Sequence, residues 1–250
     1  MNLLQSLQTG RRATGAWLFL GSPDTAEVLG GAGFDALIID HEHTPGGIET
    51  AVQQMRAIRA AGPSTMLLRL PGLDPDYIKL ALDCGVQGLL LPDARSAAQV
   101  EAFVAACHYP PRGRRGAHFT VSRAARWGAA ASEYPQQYER ELVLAAMIES
   151  EQGVNAIGAM SRIPGLSMLY MGPLDMSASI GRMGAWEDPD VVALLARAER
   201  AVLDGGLALG GALVPGDTAR RAFERGYRFV TTGSDVTMLR QGAALCLQET

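Results

Sequence analysis

The sequence predicts a (β/α)8 barrel that occupies residues 1–250 as a single domain. Short apolar runs alternate with amphipathic segments eight times, and 250 residues with 48% hydrophobic content match the usual size of such a barrel. Four of the apolar runs also lead into a charged residue, at Asp40, Arg69, Glu149 and Asp175. In a parallel barrel the carboxyl ends of the strands open onto the loops that form the site, so these charges are expected to converge there.

The predicted strands are rich in Val, Ile, Leu and Met and lack a clean period-two alternation, which is typical of parallel strands buried on both faces. In chain order they are GAWLFL at 15–20, DALIID at 35–40, TMLLR at 65–69, QGLLL at 87–91, LVLAAMI at 142–148, SMLYM at 167–171, LALGGAL at 207–213 and RFVTT at 228–232. An open doubly wound sheet is the alternative architecture, but no G-x-G-x-x-G pattern follows the first strand.

The amphipathic segments predict eight helices, one after each strand. They cover residues 23–32, 47–61, 75–84, 96–107, 151–160, 188–204, 217–225 and 235–247. Residues 108–141 interrupt this rhythm as an oversized connection after the fourth strand. A connection of that length in a compact barrel usually has a function or lies at a subunit contact.

Charge and composition exclude several classes of partner. The formal net charge is −4, and the arginines of the long connection lack interleaved stacking aromatics, so no nucleic acid is expected. No stretch approaches the roughly 18 apolar residues of a membrane span, and the first residues lack the apolar core of a secretory signal. Three scattered cysteines, Cys84, Cys107 and Cys246, are expected to be reduced thiols in a cytoplasmic protein.

Two carboxylates are candidate metal ligands. Glu149 and Asp175 follow the adjacent fifth and sixth strands, and no histidine or cysteine lies nearby in the sequence to complete a zinc site. Two carboxylates with open positions suit a hard six-coordinate cation such as Mg²⁺ or Mn²⁺, whose other ligands are water and an oxygen-rich substrate. The alternative is that each carboxylate is a salt-bridged residue of the rim.

Arg69, Asp40 and His43 are candidate catalytic residues. A guanidinium at the mouth of a barrel can bind a carboxylate or enolate oxygen through two parallel hydrogen bonds, although Arg69 can equally form a structural ion pair with Asp40 or Asp74. His43 follows Asp40 by three residues, so the carboxylate is expected to orient the imidazole as a general base. Neither His41 nor Glu42 receives a role.

Several motifs resemble one known family. They are IIDHEHTP at 38–45, YPPRGRRG at 109–116, RAARW at 123–127, IES at 148–150, GPLDMSASIG at 172–181 and GSDVTMLR at 233–240. The chain resembles, over nearly its whole length, the class II pyruvate aldolases of the 4-hydroxy-2-oxoheptanedioate aldolase family, which are also called 2-keto-3-deoxy-L-rhamnonate aldolases. The combination of the GP-x-D-[LM]-S and D-x-E-H-x-P patterns is specific.

This resemblance implies a barrel whose C-terminal helix is exchanged between subunits of a homohexamer built as a trimer of dimers. It implies a divalent cation, Mg²⁺, Mn²⁺ or Co²⁺, held by Glu149 and Asp175 and chelated by the carboxylate and keto oxygens of a 2-oxo acid. Arg69 would stabilise the enolate oxygen, and His43, supported by Asp40, would carry protons through a nearby water.

The resemblance also implies residues that bind the substrate. The backbone N–H groups of Leu174 and Asp175, which follow Gly172, would hold the substrate carboxylate. Trp17 matches a tryptophan near the pocket of the family. At the end of the seventh strand, Ala212 and Leu213 would line the mouth, and Ala212 stands where relatives often carry a bulkier residue, which would leave more room for the aldehyde.

Three departures from the family pattern leave the identity of the substrate open. Met147 stands where the family usually has Gln, two residues before the metal-binding Glu. His41 replaces a small residue inside the D-x-E-H turn. His118 and Phe119 replace small aliphatic residues in a stretch that lies, in the family, near the pocket of a neighbouring subunit.

The expected activity is that of a metal-dependent aldolase, an aldehyde-lyase that reversibly cleaves a 4-hydroxy-2-oxo acid to an aldehyde and pyruvate or a related 2-oxo acid such as hydroxypyruvate. The metal would polarise the keto group and stabilise the enolate. The alternatives are a malyl- or citramalyl-type lyase, an oxaloacetate decarboxylase, and a non-catalytic barrel. No Schiff-base lysine is expected, because the one lysine of the chain, Lys79, falls in the predicted helix after the third strand.

Overall fold

Eight parallel strands close into a barrel in chain order, in a computed structural model that describes residues 2–248. This confirms the predicted (β/α)8 architecture. The strands are β1 Ala13–Leu18, β2 Ala36–Asp40, β3 Thr65–Arg69, β4 Gly88–Leu91, β5 Val143–Ile148, β6 Met168–Met171, β7 Ala208–Ala212 and β8 Phe229–Ser234.

A helix follows every strand, and residues 2–248 contain three more helices than the sequence predicted. They are α1 Leu3–Thr9, α2 Pro23–Gly30, α3 Ile48–Ala61, α4 Pro75–Cys84, α5 Ala97–Cys107, α6 Tyr134–Gln137, α7 Glu151–Met160, α8 Pro173–Ser179, α9 Pro189–Asp204, α10 Ala219–Glu224 and α11 Asp235–Gln248, with 3-10 turns at Arg126–Gly128 and Tyr138–Arg140. The unpredicted ones are α1, α6 and α8. Among residues 2–248, no helix is both long and apolar enough to cross a bilayer.

The barrel has two apolar layers because side chains alternate along each strand. On β5, for example, Val143, Ala145 and Met147 belong to the cluster inside the barrel. Their neighbours Leu144 and Ile148 belong to the cluster between the strands and the outer helices. Both faces of a strand are therefore buried in apolar surroundings, which is why the strand sequences show no alternation of polar and apolar residues.

Helix α1 closes the amino-terminal end of the barrel. Its residues Leu3 and Leu7 pack against the inner cluster, and Asn2 caps its first turn by accepting the backbone N–H of Gln5. The amino-terminal end of the barrel is thus covered by apolar side chains, and the polar strand ends lie at the opposite end.

A buried arginine anchors the connection 108–141 to the body of the barrel. The Arg115 side chain is buried, pairs with Asp83 at 2.6 Å and lies 4.6 Å from the Tyr109 ring. A cavity of about 550 Å³ lies between this connection and the segments that precede β4 and β5, at Gln87 and Leu142. It is at the amino-terminal end of the strands, away from the converging charges.

Candidate active site

The charged side chains meet at the carboxyl end of the barrel. Every second side chain of a strand faces inward, and this alternation continues beyond the apolar residues of the core. Ile38 and Leu67 face inward, so Asp40 and Arg69 do also, and these two are direct register partners. Met147 faces inward, so Glu149 follows on the same face of β5. Alternation along the strands thus brings Asp40, Arg69 and Glu149 to the inner face, where they form a charged layer above the inner core at the carboxyl end of the barrel.

Arg69 is held on three sides. Its Nε donates to Asp40 Oδ1 at 2.5 Å, and its Nη1 lies 2.8 Å from Glu42 Oε2. Its guanidinium carbon lies 4.6 Å from the centroid of the Trp17 ring, a cation–π arrangement that also buries the charge. Within residues 2–248 no hydrogen bond of Nη2 is recorded, so this nitrogen is available to a substrate oxygen.

Asp40 orients the turn that carries His43, but not through the imidazole. Its carboxylate accepts the backbone N–H of His43 at 3.0 Å and of Glu42 at 3.3 Å, in addition to the bond from Arg69. The predicted contact between the Asp40 carboxylate and the imidazole is therefore replaced by a backbone contact. A short three-residue turn returns the backbone, not the ring, to the carboxylate, and the His43 side chain is 65% exposed.

Glu42 is a residue of the site that the sequence did not single out. Its Oε2 lies 3.6 Å from His43 Nε2 as well as 2.8 Å from Arg69 Nη1. Burial raises the pKa of Glu42, and the neighbouring Arg69 opposes that shift. It is thus the carboxylate nearest the imidazole, and its position inside the DHEH run was the signal that could have identified it.

Glu149 is buried at the end of β5, with 7% of its surface exposed. Burial, together with repulsion from Glu42 and Asp175, raises the pKa of Glu149 to about 7. Its Oε2 accepts the backbone N–H of Asp93 at 2.6 Å. Asp93 has a left-handed backbone, with φ 46°, a conformation that costs a non-glycine residue about 1–2 kcal/mol. The local backbone is thus strained where it orients Glu149.

Gly172 makes room for Glu149 on the neighbouring strand. A Cβ at position 172 would lie 2.7 Å from Glu149 Cγ and 3.0 Å from its Oε1. Gly172 is the residue before helix α8, and Asp175 lies in the first turn of that helix and is exposed. The N–H groups of Leu174 and Asp175 precede the first donor of the helix, Met176, whose N–H bonds to the carbonyl of Gly172.

These residues fit a divalent cation. Glu149 Oε1 has no recorded hydrogen bond within residues 2–248, and three carboxylates, Glu42, Glu149 and Asp175, interact unfavourably with one another. A cation would relieve that repulsion. The same part of the chain holds no group of three or more His, Cys, Asp or Glu side chains with metal-ligand geometry. Glu149 and Asp175 would supply two carboxylate ligands, and water and substrate oxygens would take the remaining positions.

The remaining predicted residues lie on different sides of the barrel wall. Ala212 packs against the inner cluster, whereas Leu213 packs against the outer one, so only Ala212 faces the site. His41 is buried and its Nδ1 lies 2.6 Å from the Tyr77 hydroxyl on α4. Lys79 lies on the outside of α4 and pairs with Asp76 at 2.8 Å, and His118 is exposed on the long connection.

A family model described as HpcH/HpaI aldolase/citrate lyase matches residues 13–242. The chain belongs to the HpcH/HpaI aldolase/citrate lyase family. This membership confirms the resemblance predicted from the motifs. In this HpcH/HpaI protein, the predicted charged residues lie together at the carboxyl end of the barrel.

Relatives of this HpcH/HpaI protein include the hydroxypyruvate/pyruvate aldolase of Chromohalobacter salexigens, 37% identical over 97% of this chain and 94% of the relative. The 4-hydroxy-2-oxo-heptane-1,7-dioate aldolase of Shigella sonnei is 36% identical over 95% of this chain and 90% of the relative. Among solved structures, an HpcH/HpaI aldolase/citrate lyase family protein from Burkholderia cenocepacia is 35% identical, with a TM-score of 0.93 over 99% of this chain and 98% of that one.

Proposed function

We propose that this chain is a metal-dependent aldolase that reversibly cleaves a 4-hydroxy-2-oxo acid to an aldehyde and pyruvate or a related 2-oxo acid such as hydroxypyruvate. The observation that carries the proposal is the charged layer itself. Arg69 and two adjacent carboxylates, Glu149 and Asp175, converge above the inner core at the carboxyl end of the barrel. Two relatives support the reaction class: one is named a hydroxypyruvate/pyruvate aldolase and the other a 4-hydroxy-2-oxo-heptane-1,7-dioate aldolase.

Glu149 and Asp175 would hold the cation, for which Mg²⁺, Mn²⁺ and Co²⁺ are the candidates. When bound, the cation supplies Lewis-acid polarisation of the 2-oxo group. Glu149 contributes a preorganised ligand because the Asp93 N–H and the absence of a side chain at Gly172 fix its position.

Arg69 would bind the oxygen on which negative charge develops when the C–C bond breaks. Its guanidinium is buried and fixed by Asp40, Glu42 and Trp17 before substrate arrives. A preorganised charged donor in a site with little water stabilises a developing oxyanion without reorganising during the reaction. Arg69 thus acts as the electrostatic partner of the enolate oxygen.

His43 would carry the proton between the 4-hydroxyl group of the substrate and solvent. Its ring is exposed, so it can exchange protons with water, and the backbone bond to Asp40 fixes the turn that carries it. Glu42, 3.6 Å from Nε2, is the carboxylate that can stabilise the imidazolium. Asp40 then supports catalysis through the backbone and through Arg69.

The substrate carboxylate would bind at the start of α8. The N–H groups of Leu174 and Asp175 have no partner within the helix, which suits an anion. Trp17 would form the floor of the pocket, and Ala212 would leave space at the mouth for the aldehyde, which supports broad acceptance of hydroxylated aldehydes.

The chain is also proposed to form a homohexamer, a trimer of dimers, with exchange of α11. In support, Asp235 is the one buried residue of that 14-residue helix, and Leu239 and Leu245 are 57% and 63% exposed. A helix with exposed leucines gains apolar burial by packing on a second subunit.

The three cysteines are unpaired, which supports the proposed cytoplasmic location.

The test of the reaction is exchange of the methyl protons of pyruvate with deuterium, measured by NMR with and without Mg²⁺ or Mn²⁺, followed by a screen of aldehydes. Exchange requires an enolate and does not depend on knowing the aldehyde. We expect exchange that requires the metal. The absence of exchange with every metal and of any aldol product would refute the proposed function.

A further inference from the structure

A hydrogen-bonded group of side chains lies directly beneath the charged layer. Trp17 Nε1 donates to Thr231 Oγ1 at 3.2 Å, and the Tyr170 hydroxyl lies 2.5 Å from the same oxygen. Trp17 is 7% exposed, Tyr170 0% and Thr231 3%. These three residues come from β1, β6 and β8, which are distant in sequence, and they meet inside the barrel as a polar layer beneath the site.

The Trp17 ring is fixed from several directions. Beyond the bond from Nε1, the Phe19 ring stacks on it with a centroid distance of 5.5 Å and an interplanar angle of 9°. Tyr170 meets it edge-on at 5.9 Å. The plane of the indole is therefore set by its own hydrogen bond and by two aromatic neighbours.

Trp17 in turn supports Arg69, whose guanidinium carbon lies 4.6 Å from the ring centroid. Two edges of the guanidinium are held by Asp40 and Glu42, and these contacts fix it in its own plane. Rotation out of that plane is limited by the ring beneath it. The tilt of Arg69, which aims its remaining nitrogen at the substrate, thus depends on the position of Trp17.

We propose that Thr231 and Tyr170 are positioning residues for Arg69, acting through Trp17. Thr231 accepts the indole N–H and fixes the ring, and Tyr170 buttresses both. The inference rests on the proposed role of Arg69 at the enolate oxygen. It assigns a function to two buried residues, Thr231 and Tyr170, that lie beneath the pocket floor formed by Trp17.

The hydroxyl group of Thr231 should matter more to the position of Trp17 than the hydroxyl group of Tyr170. Removing the Thr231 hydroxyl takes from the buried Trp17 N–H its acceptor at 3.2 Å and from the buried Tyr170 hydroxyl its partner at 2.5 Å. Removing the Tyr170 hydroxyl leaves the Trp17–Thr231 bond intact. A buried donor that loses its partner is costly, whereas losing one member of an otherwise satisfied group costs less. Thr231 is therefore the more important of the two.

The experiment compares Thr231→Val, which keeps the shape and removes the hydroxyl, with Thr231→Ser, Tyr170→Phe and a control, Tyr227→Phe. Tyr227 is equally a buried tyrosine, but its hydroxyl donates to Glu199 outside the barrel, at 2.9 Å. For each variant we would measure the melting temperature, Mn²⁺ affinity, affinity for oxalate in the presence of Mn²⁺, and kcat and KM of the aldol reaction.

Because misplacing a reacting group by about 1 Å can cost about 10²-fold, Thr231→Val should lower kcat/KM by about 10- to 100-fold, with weaker oxalate binding. Tyr170→Phe should cost less than Thr231→Val, and Thr231→Ser should remain within about twofold of the wild type. Mn²⁺ affinity should not change in any of them, since Glu149 and Asp175 are untouched. Tyr227→Phe should alter the melting temperature alone.

A double-mutant cycle with Arg69→Lys isolates the route of the effect. If Thr231 acts through Arg69, Thr231→Val should cost less than about twofold in the Arg69→Lys background. Wild-type kcat/KM and oxalate binding in Thr231→Val, or an undiminished effect in the Arg69→Lys background, would overturn the inference. If the wild type shows no turnover, the proposed reaction fails, and oxalate binding still decides whether the layer positions Arg69.

Discussion

Gly172→Ala tests whether the position of Glu149 controls the site. Gly172 has φ −104° and ψ 80°, outside the left-handed region, so alanine brings little backbone strain and adds one methyl group. That Cβ would lie 2.7 Å from Glu149 Cγ and 3.0 Å from Met147 Cε. Carbon atoms in contact are about 3.5–4.0 Å apart, so one of these groups must move by about 1 Å.

Glu149 is the group expected to move, because its Cγ is the closest atom, and it cannot retreat without lengthening the 2.6 Å bond from Asp93. Disturbing the support of a metal ligand typically costs about 10- to 100-fold in metal affinity or activity. Overpacking adds about 1–3 kcal/mol of destabilisation. We therefore expect Mn²⁺ affinity and kcat to fall by about 10- to 100-fold in a variant that still folds.

The assay is calorimetric titration of the metal-free protein with Mn²⁺, together with circular dichroism and initial rates. Gly158→Ala is the matched control, since its Cβ would meet nothing within 4 Å on the exposed side of α7. It should stabilise the helix by up to about 1 kcal/mol and leave metal binding unchanged. Wild-type Mn²⁺ affinity and rate in Gly172→Ala would show that the space at Gly172 does not control the position of Glu149.

Three further predictions concern the site. His43→Ala should lower kcat by about 10²–10⁴-fold with pyruvate binding largely retained. Arg69→Lys should impair both pyruvate binding and turnover, because lysine keeps the charge but loses the planar arrangement of donors. Steady-state kinetics separate the two effects, and an unchanged rate in His43→Ala would mean that another group is the base. The pKa of Glu149 is raised to about 7 in the metal-free protein, so protons should compete with Mn²⁺ and weaken its binding as pH falls below about 7. The stability that protonated Glu149 contributes to the metal-free fold should be present below about pH 4.5 and lost as pH rises through about 7. Calorimetric titrations and melting curves across this range check both effects, and a pH-independent Mn²⁺ affinity would contradict the first. Borohydride with pyruvate should add no pyruvyl mass, and Lys79→Arg should keep near-normal turnover because Lys79 lies outside the barrel; an adduct on Lys79 in the mass spectrum would establish a Schiff base instead.

Most of the barrel could be predicted because its strands carry a strong local signal. Runs such as DALIID and TMLLR are continuous in apolar character, and β2 and β3 lie within or at the predicted boundaries. The first strand was placed two residues late, at 15–20 instead of Ala13–Leu18. The apolar run continues through Phe19 and Leu20, but their N–H groups bond to the Asp235 carboxylate and not to a neighbouring strand. A side chain 215 residues away ended the strand.

The helices α1 and α8 were missed for a related reason. Both have seven residues, too few to show a helical period. Helix α1 depends on a capping box between Asn2 and Gln5 and on two leucines that reach the inner core. Such helices are stable because of tertiary packing, which local sequence does not report.

The candidate site was predictable in its residue types and less so in its contacts. Strand ends and alternation place Asp40, Arg69 and Glu149 on the inner face without knowledge of the fold. The partner of the His43 imidazole could not be obtained in that way, because the path of a turn decides whether Asp40 reaches the ring or the backbone. The structure puts Glu42 nearest the ring. The floor formed by Thr231 and Tyr170 was likewise invisible, since it joins strands far apart in sequence.

Glu149 and Asp175 are proposed to hold the metal on which enolate formation depends. The most direct measurement is Mn²⁺ affinity and metal-dependent deuterium exchange of pyruvate in Glu149→Gln and Asp175→Asn, each of which removes a charge with little change of shape. We expect folded proteins whose Mn²⁺ binding and exchange both fall by orders of magnitude. Tight Mn²⁺ binding with wild-type exchange in either variant would contradict it.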